Sequence, residues 1–175
     1  MASVLQLFAD MLRLRARPQD LPASDSLLLG SVAAAIGASM LAIRRLYPPD
    51  LALARIGMDL LLQLGFVVAA LRITGRPERF RQTFTALCGT GALLVLLTWP
   101  LIEIVLERGP EETLFGVALI TLFAVYGWSV VVVGHILRHA LDIGLGKAVG
   151  ISLAYMLAST AIADSVVPVP EGGMP

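Results

Sequence analysis

The chain has 175 residues, of which 57% are apolar, and its formal net charge at pH 7 is zero. A mean hydropathy of +0.83 lies far above the balance that is usual for a soluble globular domain. This composition excludes an ordinary soluble fold. Zero net charge gives no indication of a charged partner, and we expect no nucleic-acid partner.

Five apolar runs cover most of the chain, at residues 26–43, 51–73, 83–106, 114–137 and 148–163. A helix needs about 20 apolar residues to cross the hydrocarbon core of a bilayer. The three middle runs meet that length, whereas the first and last are near its short limit. The sequence therefore predicts an all-α protein, a polytopic transmembrane helical bundle. It has about five spans, at residues 23–165, and we expect the lipid bilayer to be one of its partners.

The segment before the first run predicts an amphipathic helix over residues 2–15. Its apolar residues recur at spacings of three and four, and it is too short and too charged to span a membrane. Together with the proline-containing stretch that follows it, this helix forms an N-terminal unit at residues 1–22. We expect the helix either to lie in the membrane interface or to cap the bundle, and the two alternatives are compatible. The tail at residues 166–175 is predicted to be disordered, because Pro168 and Pro170 end any helix.

The basic residues are distributed unevenly between the two sides of a five-span topology. Nine of the thirteen lie on the side of the N-terminus: Arg13, Arg15, Arg17, Arg72, Arg76, Arg79, Arg81, Arg138 and Lys147. Because Lys and Arg are enriched in cytoplasmic loops, this pattern predicts a cytoplasmic N-terminus and a periplasmic C-terminus. Arg44 and Arg45 count against this orientation unless their side chains snorkel to the interface.

Three polar residues share one face of the second span. Arg55, Asp59 and Gln63 are spaced four apart, so Arg55 and Asp59 can form a salt bridge across one helical turn. Ionisable residues inside a bilayer usually face the bundle interior or water, and they usually pair. The set is a structural clamp that holds the bundle together, a relay for protons or ions, or a polar patch that recognises a helix of a partner. Glu103, in the third span, is expected to pair with Arg44 or Arg55 on the same side.

His135 and His139 lie four residues apart, a spacing that can hold a metal. No Glu follows His135, and the adjacent Arg138 would repel a cation. We therefore predict that both histidines are membrane-interface residues, and we expect no cofactor for the chain. The lone Cys88 is interpreted as a small apolar packing residue. The predicted membrane-interface residues are Arg13, Arg15, Arg17, His135 and His139.

The last span carries small residues at a regular spacing of four. Gly146, Gly150, Ala154 and Ala158 form one stripe, and such stripes let helix backbones approach closely in lipid. The stripe predicts a close helix–helix crossing, either within the bundle, which we favour, or between two copies. Trp128, which is too central for an interfacial belt, is expected to pack between helices.

Two stretches resemble known membrane proteins. Residues 75–84, with the sequence GRPERFRQTF, resemble the segment before a middle span in Yip-family proteins, where a Gly, a basic residue, Phe and Gln precede the helix. Residues 12–22, LRLRARPQDLP, are similar to the start of small uncharacterised proteobacterial inner-membrane proteins. The Yip-family resemblance implies five spans, a cytoplasmic N-terminus, and a role in membrane trafficking and organisation without catalytic residues.

The sequence thus favours a non-enzymatic protein of the bacterial inner membrane. We expect a scaffold, assembly factor or accessory subunit that binds a partner membrane protein or another copy of itself. The alternative is a small carrier or channel subunit for protons, ions or lipid that uses Arg55, Asp59 and Gln63. No Ser-His-Asp or Cys-His arrangement supports an enzyme.

Overall fold

A computed structural model describes residues 3–168, and this part of the chain is a helical bundle without strands. Its helices are α1 (Val4–Leu12), α2 (Asp25–Ile43), α3 (Pro49–Ile73), α4 (Phe80–Glu107), α5 (Thr113–Leu141) and α6 (Leu145–Val166). Short 3-10 turns at Pro18–Asp20 and Pro77–Arg79 precede α2 and α4. By length and composition, α2 to α6 are each able to cross a membrane. The predicted all-α bundle with five long apolar helices is confirmed.

Local chemistry sets where several helices begin and end. The Ser24 hydroxyl caps α2 by accepting the Leu27 N–H at 3.4 Å, which satisfies one of the free donors of the first turn. α3 begins at Pro49, where the missing proline N–H leaves no helical bond unmade. Gly75 closes α3 with a φ of 69°, which glycine adopts without strain. Asp142 closes α5 in the left-handed conformation.

The five long helices follow one another around a central space in the order α2, α4, α5, α6 and α3. α2 packs closely on α4, α4 on α5, and α5 on α6. α3 contacts α6 and α2 more loosely and completes the ring. α4 is the most enclosed helix, since every residue from 83 to 90 is buried. The loose packing of α3 leaves space inside the bundle that other side chains do not fill.

The bundle has two ends, which we name by their contents. The α1 end contains α1, the start of α2, the α3–α4 loop and the α5–α6 loop. The far end contains the α2–α3 turn, the α4–α5 loop and the end of α6. The nine basic residues assigned above to the N-terminal side all lie toward the α1 end.

α1 packs against α4 and α5. Met11 is fully buried and Phe8 is 6% exposed. A Cβ on Gly89 would collide with the Phe8 ring, so this glycine makes room for it. The Trp128 indole N–H donates to the Leu12 carbonyl at 3.0 Å. This packing is that of a cap. Trp128 is 44% exposed, so the expectation that it is enclosed between helices is wrong.

The terminal segments differ in extent from their predicted bounds. α1 ends at Leu12, because Leu14 adopts a φ of 60° that interrupts the helix. The stretch before α2 is packed, with Ala16 and Leu21 buried. At the other end, Val167 is buried with Tyr47, so the packed chain continues past residue 166. The rest of the predicted disordered tail, 169–175, lies outside the described residues.

Candidate functional site

The space inside the ring is a cavity of about 410 Å³ lined by residues from all five long helices. A smaller space of about 190 Å³ adjoins it, and Asp59 and Gln63 line both. Most of the wall is apolar, with residues such as Ile56 and Leu94. The hydroxyl-bearing residues Ser39 and Thr98 also line the larger space. The cavity therefore combines a large apolar surface with a few polar groups.

Arg55 is held at the far end by three oxygen atoms. Its Nη1 lies 2.5 Å from Asp164 Oδ1 and 3.3 Å from the Val167 carbonyl, whereas its Nε lies 3.5 Å from Asp59 Oδ2. The predicted contact between Arg55 and Asp59 is present. The shorter contact with Asp164, which the sequence interpretation did not include, joins α3 to α6.

Asp59 is the more open of the two cavity-lining charges. The Arg55 side chain is 14% exposed, and the Asp59 side chain is 51% exposed. Farther along the same face, the Gln63 amide oxygen lies 3.9 Å from the Cys88 sulfur. Cys88 is 2% exposed, as a packing role requires. The structure therefore brings the three predicted residues of the second span to one wall of the cavity.

Glu103 does not belong to this wall. It lies beside the end of α2, where it binds Arg44 at 3.2 Å and Arg45 at 2.8 Å, and it accepts the Trp99 indole N–H at 2.9 Å. The expected pairing of Glu103 with one of the two arginines is confirmed for Arg44, whereas Arg55 binds Asp164. We name Arg44, Arg45, Trp99, Glu103 and Glu107 the far-end network.

The far-end network is charged and compact. Arg45 also binds Glu107 at 3.0 Å, and the Arg44 guanidinium lies 5.7 Å from the centre of the Trp99 ring, within the range of a cation–π contact. Hydrogen bonds to Glu103 and Glu107 raise the pKa of Arg45 above its ordinary value. The network fastens the end of α2 to α4 beside the cavity.

The predicted interface residues fall into two groups. Arg13, Arg15 and Arg17 are exposed, which is compatible with an interface position. His135 is 5% exposed, and its Nε2 lies 3.0 Å from the Ala16 carbonyl, so it is an interior residue and its interface assignment is wrong. His139 is partly exposed beside it. Within residues 3–168, no group of three or more His, Cys, Asp or Glu side chains is placed to hold a metal ion.

The small-residue stripe of α6 faces outward. Gly146, Gly150, Ala154 and Ala158 are all exposed, and a Cβ on either glycine would meet no atom within 4 Å. The favoured prediction, a close crossing within the bundle along this stripe, is therefore wrong. A crossing between two copies stays a prediction.

A different stripe of α6 packs against α5. Ala148 and Ser152 are fully buried, and the Ser152 hydroxyl donates to the Val130 carbonyl on α5 at 3.0 Å. The close approach depends on Gly134 of α5, since a Cβ there would lie 2.7 Å from Val149 Cγ2. The sequence interpretation overlooked this glycine, which lies in a run without a second glycine four residues away.

Two residues of the segment 75–84 hold the α1 end together. The Arg79 guanidinium donates to the carbonyls of His139 and Ala140 at the end of α5. The Gln82 amide donates to the Leu21 carbonyl at 2.8 Å. Both side chains bind main-chain carbonyls of other elements, so the basic loop has a structural role beyond its charge.

Comparison with known proteins gives no match, since no family model, curated protein or solved structure is significantly similar to the chain. The resemblance to Yip-family proteins therefore stays a prediction.

Proposed function

We propose that this chain is a non-enzymatic integral membrane protein that binds a partner membrane protein and helps to assemble or stabilise it. The observation that carries the proposal is the exposed stripe of Gly146, Gly150, Ala154 and Ala158. Small residues in lipid permit close helix–helix contact, and within residues 3–168 no helix covers the stripe. The resemblance to Yip-family proteins supports a role in membrane organisation.

Gly150 provides a direct test, because a Cβ there would meet no atom within 4 Å, and we therefore expect a larger side chain to leave the bundle intact. The protein is extracted into native lipid particles, and the proteins that co-purify are identified by mass spectrometry. We expect a stoichiometric membrane partner or second copy for the unchanged chain and its loss in Gly150→Leu. Gly127→Leu, at another exposed glycine, is the matched control. A chain that purifies alone contradicts the proposal.

We also propose the bacterial inner membrane as the location, with the α1 end in the cytoplasm and the far end in the periplasm. Nine of the thirteen basic residues lie toward the α1 end, and such residues favour the cytoplasmic side. The acidic residues of the far end, among them Asp50, Glu111 and Glu112, carry little weight in this rule.

The cavity favours a second candidate function, a small carrier or channel subunit for protons, ions or lipid. Asp59 and Gln63 line it near the middle of α3, where a charged group is costly unless it contacts water or a partner. In a Cys88→Ala background, Asp59→Cys then reacts with a water-soluble thiol reagent. A cysteine at that position that stays unreactive contradicts the carrier.

A further inference from the structure

The charges around the cavity do not balance. Arg55 and Asp59 are the formally charged side chains in the described part of its wall, and Asp164 binds Arg55 from α6. One guanidinium thus serves two carboxylates. Arg55 lies 2.5 Å from Asp164 and 3.5 Å from Asp59, so the excess negative charge belongs chiefly to Asp59.

The Asp59 carboxylate is also accessible, and unlike Asp164 it lines the cavity. Its side chain is 51% exposed, whereas that of Arg55 is 14% exposed. In an apolar surrounding the attraction between opposite charges is far stronger than in water. A cation inside the cavity would therefore gain from Asp59 more than it would lose to Arg55, whose charge is already neutralised by Asp164.

Aromatic rings add a second attraction for a cation. Tyr126 of α5 and Tyr155 of α6 both line the larger cavity. The Tyr155 ring is held by stacking on Phe66, with ring centres 4.3 Å apart. The faces of such rings attract ammonium-type cations, and more strongly where water is excluded. Two tyrosines in a cavity that also contains a carboxylate therefore suit an organic cation.

The volume of the cavity and the rest of its wall indicate what kind of molecule fits inside. The cavity volume of about 410 Å³ falls within the range of roughly 300–1,000 Å³ that small-molecule sites occupy. Ile56, Leu94 and Val125 are among its apolar lining residues. The space therefore suits a molecule with an apolar body and one positive charge, and it disfavours an anion, which Asp59 would repel.

We propose that the cavity binds a hydrophobic cation, an ammonium- or phosphonium-type group with an apolar body, with Asp59 as its counter-charge. The cation is either the ammonium headgroup of a membrane lipid or a free lipophilic cation. This inference concerns binding alone, so it holds or fails independently of the accessory role. It gives the carrier candidate a ligand class without requiring transport.

Two ions of matched shape and opposite charge test the proposal. The full chain is placed in phosphatidylglycerol nanodiscs, and binding of radiolabelled tetraphenylphosphonium and tetraphenylborate is measured against empty nanodiscs. We expect saturable binding of the phosphonium at one site per chain and no saturable binding of the borate. Equal binding of both ions, or of neither, overturns the proposal.

Variants assign the binding to Asp59. Asp59→Asn is expected to weaken phosphonium binding by about tenfold or more, because it removes a counter-charge in an apolar setting. Asp50→Asn, at an exposed position at the start of the same helix, is the control and leaves binding unchanged. Phosphonium binding that persists in Asp59→Asn overturns the assignment. If Asp59→Asn does not fold, the comparison of the two ions in the unchanged chain decides.

The lipid composition distinguishes the two sources of the cation. Phosphatidylethanolamine is added stepwise to the nanodiscs while phosphonium binding is followed. Binding that falls as the ethanolamine lipid increases identifies a lipid headgroup as the occupant. Binding that stays constant, after correction with empty nanodiscs, identifies a free lipophilic cation.

Discussion

Glu103 is the residue through which the end of α2 is joined to α4. Its two carboxylate oxygens reach Arg44, Arg45 and the Trp99 indole, and its side chain is 19% exposed. A partly buried carboxylate with three donors is well satisfied. Without the negative charge of Glu103, the positive charges of Arg44 and Arg45 would lie close together with less negative charge to offset them.

Replacement of this carboxylate by an amide should weaken the far-end network. We expect Glu103→Gln to lower the thermal unfolding midpoint of the purified protein more than Glu107→Gln does. Glu107 binds Arg45 alone, and its side chain is 59% exposed, so its contribution is small. Aggregation during heating, followed by light scattering in one detergent, measures both midpoints. Equal decreases would show that the network does not depend on Glu103.

Gly134 sets the distance between α5 and α6. A Cβ at this position would lie 2.7 Å from Val149 Cγ2 and 2.9 Å from Val149 Cα. Because one of these atoms is backbone, the helices themselves must move apart. We expect Gly134→Ala to destabilise the bundle by roughly 1–3 kcal/mol, as overpacking does, measured by denaturant unfolding in mixed micelles.

The control for this change lies on the same helix. Gly127 is exposed, and a Cβ there would meet nothing within 4 Å. Gly127→Ala should therefore be neutral or slightly stabilising, since alanine favours helix over glycine by about 1 kcal/mol. A similar loss of stability in both variants would show that helix propensity, and not the crossing with α6, determines the effect.

α1 illustrates how an element depends on distant positions. Phe8 occupies the space that Gly89 leaves free, and Trp128 binds the last carbonyl of the helix. A helix of nine residues is too short to be stable alone. Its conformation therefore depends on docking against α4 and α5.

Truncation of the docked ring should release α1. Phe8→Ala removes a side chain that is 6% exposed, at a cost of roughly 3–5 kcal/mol to docking. Hydrogen exchange of the α1 amides should then become fast, while the amides of α4 stay protected. Leu5→Ala, at a position that is 70% exposed, should change little. Unchanged protection of α1 in Phe8→Ala would contradict the role of this contact.

The elements differ in how far the sequence predicts them. The five long helices follow from apolar length alone, because a run of that length has few other stable structures in a membrane. The docking position of α1 does not follow, since it depends on a glycine and a tryptophan in other helices. The α6 stripe was misassigned because Ala148 and Ser152, also small and four residues apart, offer a second packing face.

The candidate site is likewise only partly predictable from the sequence. Arg55 and Asp59 are one turn apart, so helical spacing predicts their contact. Asp164 lies 109 residues from Arg55, and the two meet only because α6 closes the ring against α3. The cavity also could not be predicted, because it results from the loose packing of a whole helix and not from any motif.

At the scale of the molecule, the ring distinguishes two ends of different charge. Most basic residues lie toward the α1 end, and six of the thirteen acidic residues lie toward the far end: Asp50, Glu103, Glu107, Glu111, Glu112 and Asp164. The other four basic residues, Arg44, Arg45, Arg55 and Arg108, lie toward the far end. Each is paired with a carboxylate of Glu103, Asp164 or Glu112, so their charge is compensated locally.

This asymmetry and the odd number of spans predict one orientation. In a Cys88→Ala background, Gly109→Cys places a thiol in the α4–α5 loop and Gly144→Cys places one in the α5–α6 loop. With the α1 end inside, a membrane-impermeant maleimide added to intact spheroplasts should label Gly109→Cys and leave Gly144→Cys unlabelled until the membrane is permeabilised. The Cys88→Ala parent should stay unlabelled throughout.

Two other labelling patterns of the loop cysteines would contradict this prediction, each for a different reason. Reversed labelling would show that the nine basic residues of the α1 end do not determine the orientation. Labelling of both loops from one side would contradict α5 as a spanning helix, although its 29 residues correspond to a length of about 43 Å, more than the hydrocarbon core requires. Only the expected pattern leaves Asp59 and its cavity in the periplasmic half of the membrane.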